Sequence, residues 1–291
     1  MRTTITLGGH AVPAFESRGT ADGPRVAVLG GVHGCEYSSI AAVIRLMRGL
    51  GEHHGTVVGV PVVSMDSFTQ RSPFVVPRDG KNLNRAFPGN PDGSYTDRLA
   101  HDIFTQLIEP ADAVLDLHGG DLVEALEPFA IYNDARYRDL ALAFNLPYVV
   151  DSTGSLTGMT SGAAGVPAVL AEAGGIGQLE EEAVALLTDG SRNALKYLGV
   201  LDGDPEPSRS KVLGRFDWHH STPAGFWVAA VKAGDLVAKG AVLGEVRDLY
   251  GDVLQTIRAS DDGVVLFLTT SAAVAEHGLL LGLGCDERAG A

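Results

Sequence analysis

The stretch PRVAVLGGVHGCEYSS, residues 24–39, joins a short apolar run to a glycine-rich turn, and a helical pattern over residues 37–50 begins within it. The apolar run has the length and β-branched content of a buried strand. A strand that turns at glycines into a helix is the repeating unit of a layered α/β fold. The turn also holds His33 and Glu36 three residues apart, which makes them candidate ligands of a metal ion.

The same alternation continues through the first two thirds of the chain. Strands are predicted over residues 24–31, 55–63, 111–120, 127–133 and 166–175, and helices over residues 37–50, 95–108, 135–145 and 178–198. The second helix has Ser94 as its candidate N-cap and stops before Pro110. Strands that alternate with helices predict an α/β domain with a mostly parallel central sheet.

The composition changes at GVLDGDPEPSRSK, residues 199–211, which is the best candidate for a linker. Beyond it, short strand-like runs are broken by AGD, AKG, YGD and DDG, a pattern typical of a small all-β barrel or sandwich. We therefore predict a catalytic domain over 1–204 and a β-domain over 205–291. Residues 231–246 resemble the barrel-sandwich of biotinyl and lipoyl carriers, but no lysine-bearing hairpin tip of that kind follows.

Composition and charge exclude several classes of function. The net charge of −14 makes the average field repel nucleic acid and anionic membranes. The chain has no apolar segment of membrane-spanning length, and its first residues lack the pattern of a signal peptide, which favours the cytoplasm. Its two cysteines, Cys35 and Cys285, form neither a disulfide framework nor a CxxC zinc motif. A homo-oligomer is compatible with the sequence.

Polar residues follow three of the predicted strands. His33 and Glu36 follow the first, LDLHGG supplies His118, and VLAEAGG supplies Glu172. Ligand sites of open α/β sheets lie beyond the carboxyl ends of strands, so we expect these side chains to converge. Each has a simpler reading: an HxxE pair arises by coincidence, a strand-end histidine can be structural, and a glutamate can cap a turn. Their joint occurrence beside glycines favours a site.

Two histidines and one carboxylate are a common catalytic zinc set, because they leave a fourth position for water or substrate. Zinc lowers the pKa of a water there to about 7. A second carboxylate can then move the water's proton to a leaving amine, and Glu172 is the candidate. Asp116 shares a strand face with His118 and is placed to orient it. We therefore expect one Zn²⁺ ion per chain.

The loop QRSPFVVPRDGKNLNRAFPGNP, residues 70–91, gathers Arg71, Arg78, Asn84 and Arg85. In an acidic protein, arginines beside a metal site indicate recognition of a substrate carboxylate, since guanidinium pairs with it in a bidentate manner. One arginine can also stabilise the oxyanion formed by attack on a carbonyl. The alternative is a solvated basic loop.

Four motifs, GGVHGCE, GKNLNRAFPG, LDLHGG and VLAEAGG in that order, resemble the succinylglutamate desuccinylase/aspartoacylase family. That family belongs with the zinc carboxypeptidases of the carboxypeptidase A type, which implies a three-layer fold. The resemblance covers nearly the whole chain. The overall pattern is more similar to the N-acetyl-amino-acid deacetylase branch, which includes the N-acetyl-diaminobutyrate deacetylases, than to aspartoacylase itself.

The resemblance assigns roles to individual residues. It implies that His33, Glu36 and His118 bind zinc, that Glu172 is the general base and acid, and that Asn84 and Arg85 hold the substrate carboxylate. A further arginine of the family polarises the scissile carbonyl. Arg78 is favoured for that role because it lies nearer to NLNR, and Arg71 is the alternative.

Some positions depart from the family or have a weaker basis. Cys35 stands where members commonly have Asp or Asn. It is best interpreted as a small packed residue, although a thiol there is also a candidate for oxidation or for competition for zinc. His219, His220 and Tyr250 belong to the β-domain and are candidates for contact with substrate at the cleft rim.

The sequence thus predicts a zinc hydrolase that cleaves a linear amide bond of a small, carboxylate-bearing, N-acylated amino acid or related metabolite. One alternative is a metallocarboxypeptidase-like hydrolase of small peptides. A β-domain that closes over the cleft would disfavour it. An alternative of another class is a zinc protein that binds an acylated metabolite without turnover, which would not need Glu172.

Overall fold

The structure, a computed structural model, describes residues 1–154 and 159–286. Its helices are α1 (Tyr37–Arg48), α2 (Met65–Gln70), α3 (Tyr95–Ile103), α4 (Arg138–Phe144), α5 (Thr160–Ala163) and α6 (Glu181–Tyr197). Its strands are β1 (Arg2–Leu7), β2 (His10–Arg18), β3 (Ala21–Leu29), β4 (His54–Val60), β5 (Ala113–His118), β6 (Glu124–Leu126), β7 (Phe129–Tyr132), β8 (Tyr148–Asp151), β9 (Ala168–Glu172), β10 (Lys211–Leu213), β11 (Arg215–His220), β12 (Gly225–Ala229), β13 (Leu236–Val237), β14 (Val242–Arg247), β15 (Val253–Arg258), β16 (Gly263–Thr269), β17 (Ala273–Val274) and β18 (Leu279–Cys285).

Within these ranges, the first ten strands other than β6 form one sheet in the order β1-β2-β4-β3-β5-β9-β7-β8-β10. The neighbours β4–β3, β3–β5, β5–β9, β7–β8 and β8–β10 are parallel, and the remaining pairs are antiparallel. The centre of the sheet is therefore parallel, and the mixed α/β fold is confirmed. All five predicted strands are present, and they end within a few residues of their predicted bounds.

Helices cover both faces of this sheet and form the outer layers. Alternate residues of β3 point to opposite faces: Val26 and Val28 pack in one core cluster with α1, α4 and α6, whereas Ala27 and Leu29 pack in another with α3. The four predicted helices are present. Two of them begin three residues late, and residues Phe104–Ile108 continue α3 as a π-helical turn. No helix in the described ranges is long and apolar enough to cross a membrane.

The C-terminal part consists of antiparallel sheets. One has the order β11-β18-β16-β13 with β6 paired to β16, and the other has the order β15-β14-β12-β17. Their shared core contains Trp227, Leu243 and Leu283. The closed barrel-sandwich arrangement stays a prediction. Because β6 comes from the first part of the chain, its pairing with β16 joins the two parts.

The large sheet extends further along the chain than the predicted boundary at residue 204. Strand β10 pairs in parallel with β8 at the sheet edge, with Val212 opposite Val149. The switch to the C-terminal sheets comes after Leu213, because Arg215 already pairs with Cys285. Residues 287–291 of the predicted second domain lie outside the described residues.

Candidate active site

Three parallel neighbours in the sheet, β3, β5 and β9, bring the predicted site together. His33 and Glu36 follow β3, and Glu36 is the N-cap residue of α1. His118 ends β5, Glu172 ends β9, and these two residues are register partners. The convergence expected from three strand ends is therefore what the topology produces, because parallel strands end at the same edge of a sheet.

Glycines make the turn after β3 possible. Gly31 adopts a φ of 60°, in the left-handed region that favours glycine. Gly34 lies further along the same turn, and a Cβ atom there would collide with the backbone of Ser67 and Phe68 in α2. The turn can therefore pack against α2 while it directs His33 and Glu36 to the sheet edge.

The Glu36 carboxylate lies between two imidazoles. His33 Nδ1 is 2.6 Å from one carboxylate oxygen, and His118 Nδ1 is 3.0 Å from the other. One ligand atom from each of the three side chains lies within 4.8 Å of the others, and all three side chains are buried. The contact between His118 Nδ1 and Glu36 is short but lacks hydrogen-bond geometry. Within the described residues, Glu36 Oε2 and both ring nitrogens of His118 are left without a hydrogen bond.

The far nitrogen of each imidazole lies against another side chain, as a hydrogen bond at His33 and as a close contact without hydrogen-bond geometry at His118. His33 Nε2 lies 3.0 Å from the Asn82 side-chain oxygen, and His118 Nε2 lies 3.2 Å from Asp116. These contacts leave the Nδ1 atoms facing Glu36. Partners of this kind fix the tautomer and orientation of metal-ligating histidines. Asp116 thus contacts His118 as their shared strand face predicts.

The charges in this group depend on one another. Burial by itself lowers the pKa of both imidazoles. The Glu36 carboxylate outweighs burial at His33, and the Asp116 and Glu36 carboxylates together outweigh it at His118, so the pKa of each histidine is raised. Burial raises the pKa of Glu36, yet the two imidazoles outweigh burial and hold that pKa below its ordinary value. The carboxylate and the imidazoles therefore favour each other's charged forms, and binding of a divalent cation would compete with protons for the imidazole nitrogens.

Glu172 has a different environment. Its Oε2 is buried and has no hydrogen-bond partner within the described residues. Burial raises the pKa of Glu172 well above its ordinary value, against the effect of His118, and the charges of Glu36 and Glu124 raise it further. A carboxyl group with a raised pKa that lines a cavity beside candidate metal ligands is suited to take up and release a proton during a reaction.

Asn84 and Arg85 line a cavity of about 280 Å³ together with His33, Glu36 and Glu172. The Asn84 side-chain oxygen accepts the backbone N–H of Thr160 at 3.0 Å, so its amide nitrogen remains as a donor. Burial lowers the pKa of Arg85, and the charge of Glu172 opposes that shift. A hydrogen-bond donor and a cation therefore lie in the same cavity as the candidate metal ligands.

Arg78 is not brought to this cavity. Its Nε lies 2.5 Å from Asp66, and its guanidinium stacks over the ring of Tyr95 at 4.3 Å. It lines a separate cavity near Gly8 and Gly9. The structure therefore does not bring Arg78 to the candidate metal group, and its expected role at the scissile carbonyl stays a prediction that this position does not support.

Arg71 and Tyr250 are exposed and do not line the cavity in the described structure. Arg71 ends α2 with a φ of 53°, and its charge acts on Tyr37, the neighbour of Glu36 in sequence. Tyr250 is 95% exposed in the turn between β14 and β15, so the structure does not bring it to the substrate as predicted.

Cys35 and the histidine pair also have definite positions. Cys35 is fully buried, and burial and the nearby Asp121 raise the pKa of its thiol to about 11, which keeps it protonated and unreactive. The thiol therefore behaves as a small packed residue. His220 lines the cavity, whereas His219 lies 3.3 Å from Asp217.

Several cavity residues were not found from the sequence. They are Phe74, Asn82, Glu124, Leu126, Phe129, Ile131, Met159, Phe216, Trp218, Phe267 and Leu279. Phe74 stacks on His33 with ring centroids 5.2 Å apart, and its backbone N–H donates to Asp121. The apolar residues have the same pattern as core residues. For Asn82, its position two residues before Asn84 in the NLNR segment was a usable signal.

Comparisons with known proteins agree with this geometry. Residues 22–198 match the family model of the succinylglutamate desuccinylase/aspartoacylase catalytic domain. The chain is 33% identical over 265 residues to an N-alpha-acetyl-L-2,4-diaminobutyric acid deacetylase from Halomonas elongata, covering 84% of this chain and 77% of the relative.

Solved structures are similar over nearly the full length. A succinylglutamate desuccinylase/aspartoacylase from Rhodobacter sphaeroides has a TM-score of 0.84 at 25% identity, covering 98% of this chain and 94% of that one. The product-bound ectoine utilization protein EutE (DoeB) from Ruegeria pomeroyi gives the same values. The matched catalytic region contains the His33–Glu36–His118 group and Glu172, and the chain belongs to the succinylglutamate desuccinylase/aspartoacylase family.

Proposed function

We propose that this chain is a zinc-dependent hydrolase that cleaves the linear amide bond of a small N-acylated amino acid or related carboxylate-bearing metabolite. One observation carries the proposal: three buried ligand atoms lie within 4.8 Å of one another, and Glu172 lies in the same cavity. The family consists of amidohydrolases, and the relative from Halomonas elongata is a deacetylase by name.

The residues present fit a zinc ion. Two imidazoles and one carboxylate are a usual catalytic zinc set, and buried atoms of Glu36 and His118 lack hydrogen bonds in the described structure. Asn82 and Asp116 hold the imidazoles from the outside. When bound, Zn²⁺ supplies a Lewis acid for the carbonyl and a water of lowered pKa.

The chain's own residues then have separate tasks. Arg85 and the free amide nitrogen of Asn84 hold the substrate carboxylate, which fixes the amide in place. Glu172 accepts the proton of the attacking water at its carboxylate and returns it to the leaving amine. Arg71 stays the alternative candidate for polarising the carbonyl, because its charge acts on Tyr37, next to Glu36, whereas Arg78 is paired with Asp66.

The size of the cavity favours a small substrate over a peptide. Its walls include Phe216, Trp218 and Phe267 from the C-terminal sheets, which face the catalytic residues. A volume of about 280 Å³ suits an acylated amino acid and leaves little room for a chain of several residues. Simple binding without turnover is disfavoured too, because a buried carboxylate such as Glu172 is costly and binding alone has no use for its proton transfer.

Replacement of Glu172 tests the proposal. We expect Glu172→Gln to lower kcat about 10²- to 10⁴-fold, because the amide cannot accept the proton, while zinc content stays at the wild-type value. The measurement is release of free amine from a panel of N-acetyl, N-succinyl and N-formyl amino acids, with zinc determined by elemental analysis. Glu182→Gln, an exposed position on α6, is the matched control. Glu172→Gln activity within about threefold of wild type would contradict the mechanism.

A further inference from the structure

We infer that the substrate carries a bulky apolar group, and that the apolar and aromatic side chains that line the cavity together with the metal group bind it. These residues, here called the apolar wall, are Phe129, Ile131, Met159, Phe216, Trp218 and Phe267. The inference deepens the proposed function and rests on it, since the amide is placed at the metal group.

The apolar wall is continuous and begins beside the proton-transfer residue. Phe129 is the register partner of Glu172 across β7 and β9. Phe216 meets Phe129 edge to face at 5.4 Å, and Trp218 stacks on Phe216 at 4.7 Å. Phe267 meets Trp218 edge to face at 5.9 Å. A row of rings therefore runs from the catalytic sheet into the C-terminal sheet.

Among the residues of the apolar wall, Trp218 exposes the most surface, whereas Phe129, Ile131, Met159 and Phe267 are buried. Trp218 is 36% exposed, although large aromatic side chains are usually well covered. Water against such a surface is unfavourable, and an apolar ligand group that covers the surface and displaces this water therefore binds more tightly. The volume of the cavity exceeds what an acetyl group needs, so a larger apolar group fits the remaining space.

The six side chains of the apolar wall carry no charge. An ammonium group against them would lose hydration, and the carboxylates it could reach in the same cavity include Glu172, the proton-transfer residue, and Glu124. The Glu124 carboxylate already accepts the Asp121 backbone N–H at 2.9 Å, so one of its oxygens has a partner. A diaminobutyrate side chain, as in the name of the Halomonas elongata relative, therefore suits this wall poorly.

The apolar group can belong to the amino acid or to the acyl chain, and two arms of one experiment separate these sources. In the first arm, kcat/KM is measured for N-acetylphenylalanine and N-acetylleucine against N-acetylalanine and N-acetyl-2,4-diaminobutyrate. In the second arm, N-benzoylglycine is compared with N-acetylglycine. We expect a preference of about tenfold or more for the apolar member in at least one arm.

Variants locate the preference on the apolar wall. Trp218→Ala should lower kcat/KM for the preferred apolar substrate about tenfold and change N-acetylalanine by less than about threefold. Trp218→Leu, which keeps apolar bulk, replaces it if the alanine variant does not fold. Phe226→Ala, an exposed aromatic residue on the other C-terminal sheet, is the control and should change neither value.

Binding gives a readout that does not depend on turnover. Calorimetric titration of zinc-loaded Glu172→Gln should show tighter binding of the preferred apolar ligand than of N-acetyl-2,4-diaminobutyrate. If no amide is hydrolysed while this order of binding holds, the proposed function fails and the apolar preference stands. Equal or reversed preference in both measurements, or an equal effect of Trp218→Ala on all substrates, would overturn the inference even if hydrolysis is observed.

Discussion

Two histidines carry the candidate metal site, and each is held through the ring nitrogen that faces away from Glu36. Asn82 holds His33, and Asp116 holds His118. Asp116 also accepts a hydrogen bond from Thr160, whose backbone N–H donates to Asn84. The same short network therefore orients a metal ligand and a substrate-binding amide, so changes at Asp116 should reach both.

We expect Asp116→Asn to weaken zinc binding about tenfold, because outer partners of ligating histidines typically contribute 10- to 100-fold in affinity. The amide keeps the shape of the side chain and removes the charge that favours an oriented imidazole. The measurement is competition for zinc with a chelator of known affinity. Asp204→Asn, in the exposed segment before β10, should leave the affinity unchanged. An unchanged affinity in Asp116→Asn would show that Asp116 does not orient His118.

At the scale of elements, the loop over residues 70–91 is hydrogen-bonded to the start of α3. The Asp79 carboxylate accepts hydrogen bonds from the Ser94 hydroxyl at 2.7 Å and from the Thr96 backbone N–H at 2.8 Å. Burial is the largest single effect and raises the pKa of Asp79, but the hydrogen bonds from Thr96, Ser94 and Lys81 together outweigh it and lower that pKa to about 2. This contact fixes the loop that leads to Asn84 and Arg85.

We expect Asp79→Ala to lower the free energy of unfolding by about 1 kcal/mol at pH 7, a loss typical of a helix cap and reduced by the exposure of the group. The folded-state pKa lies below the ordinary value, so this stabilisation is present above about pH 4 and is lost as the pH falls toward 2. Urea unfolding at pH 7 and at pH 3 measures it, with Asp92→Ala, an exposed position just after the loop, as the control. A difference that grows on acidification would contradict this account.

The predicted elements show what local patterns can reveal. Strands β3, β5 and β9 were predicted because they are short apolar runs that end at glycines, and this also located the metal ligands. The hairpin of β1 and β2 was missed, since its residues are largely exposed and form no apolar run. Strand β6 was missed because its three residues depend on pairing with β16, which lies about 140 positions away in the sequence.

At the scale of the whole molecule, the cavity is formed by parts that are distant in sequence. Strands β6 and β16 pair through Leu126 and Phe267, which places the C-terminal aromatic residues opposite the catalytic sheet. No local pattern distinguishes Trp218, which lines this cavity, from Trp227, which is buried in the C-terminal core. The position of Arg78 also depends on contacts that are distant in sequence. Proximity in sequence favoured it, whereas Asp66 and Tyr95 hold it elsewhere.

The central claim is that hydrolysis depends on one zinc ion held by His33, Glu36 and His118. The most direct test is amine release by metal-free protein as zinc is added in measured steps, with the best substrate of the N-acyl panel. We expect no release without metal and an increase that saturates at one zinc ion per chain. The same rate of release with and without zinc would contradict the claim.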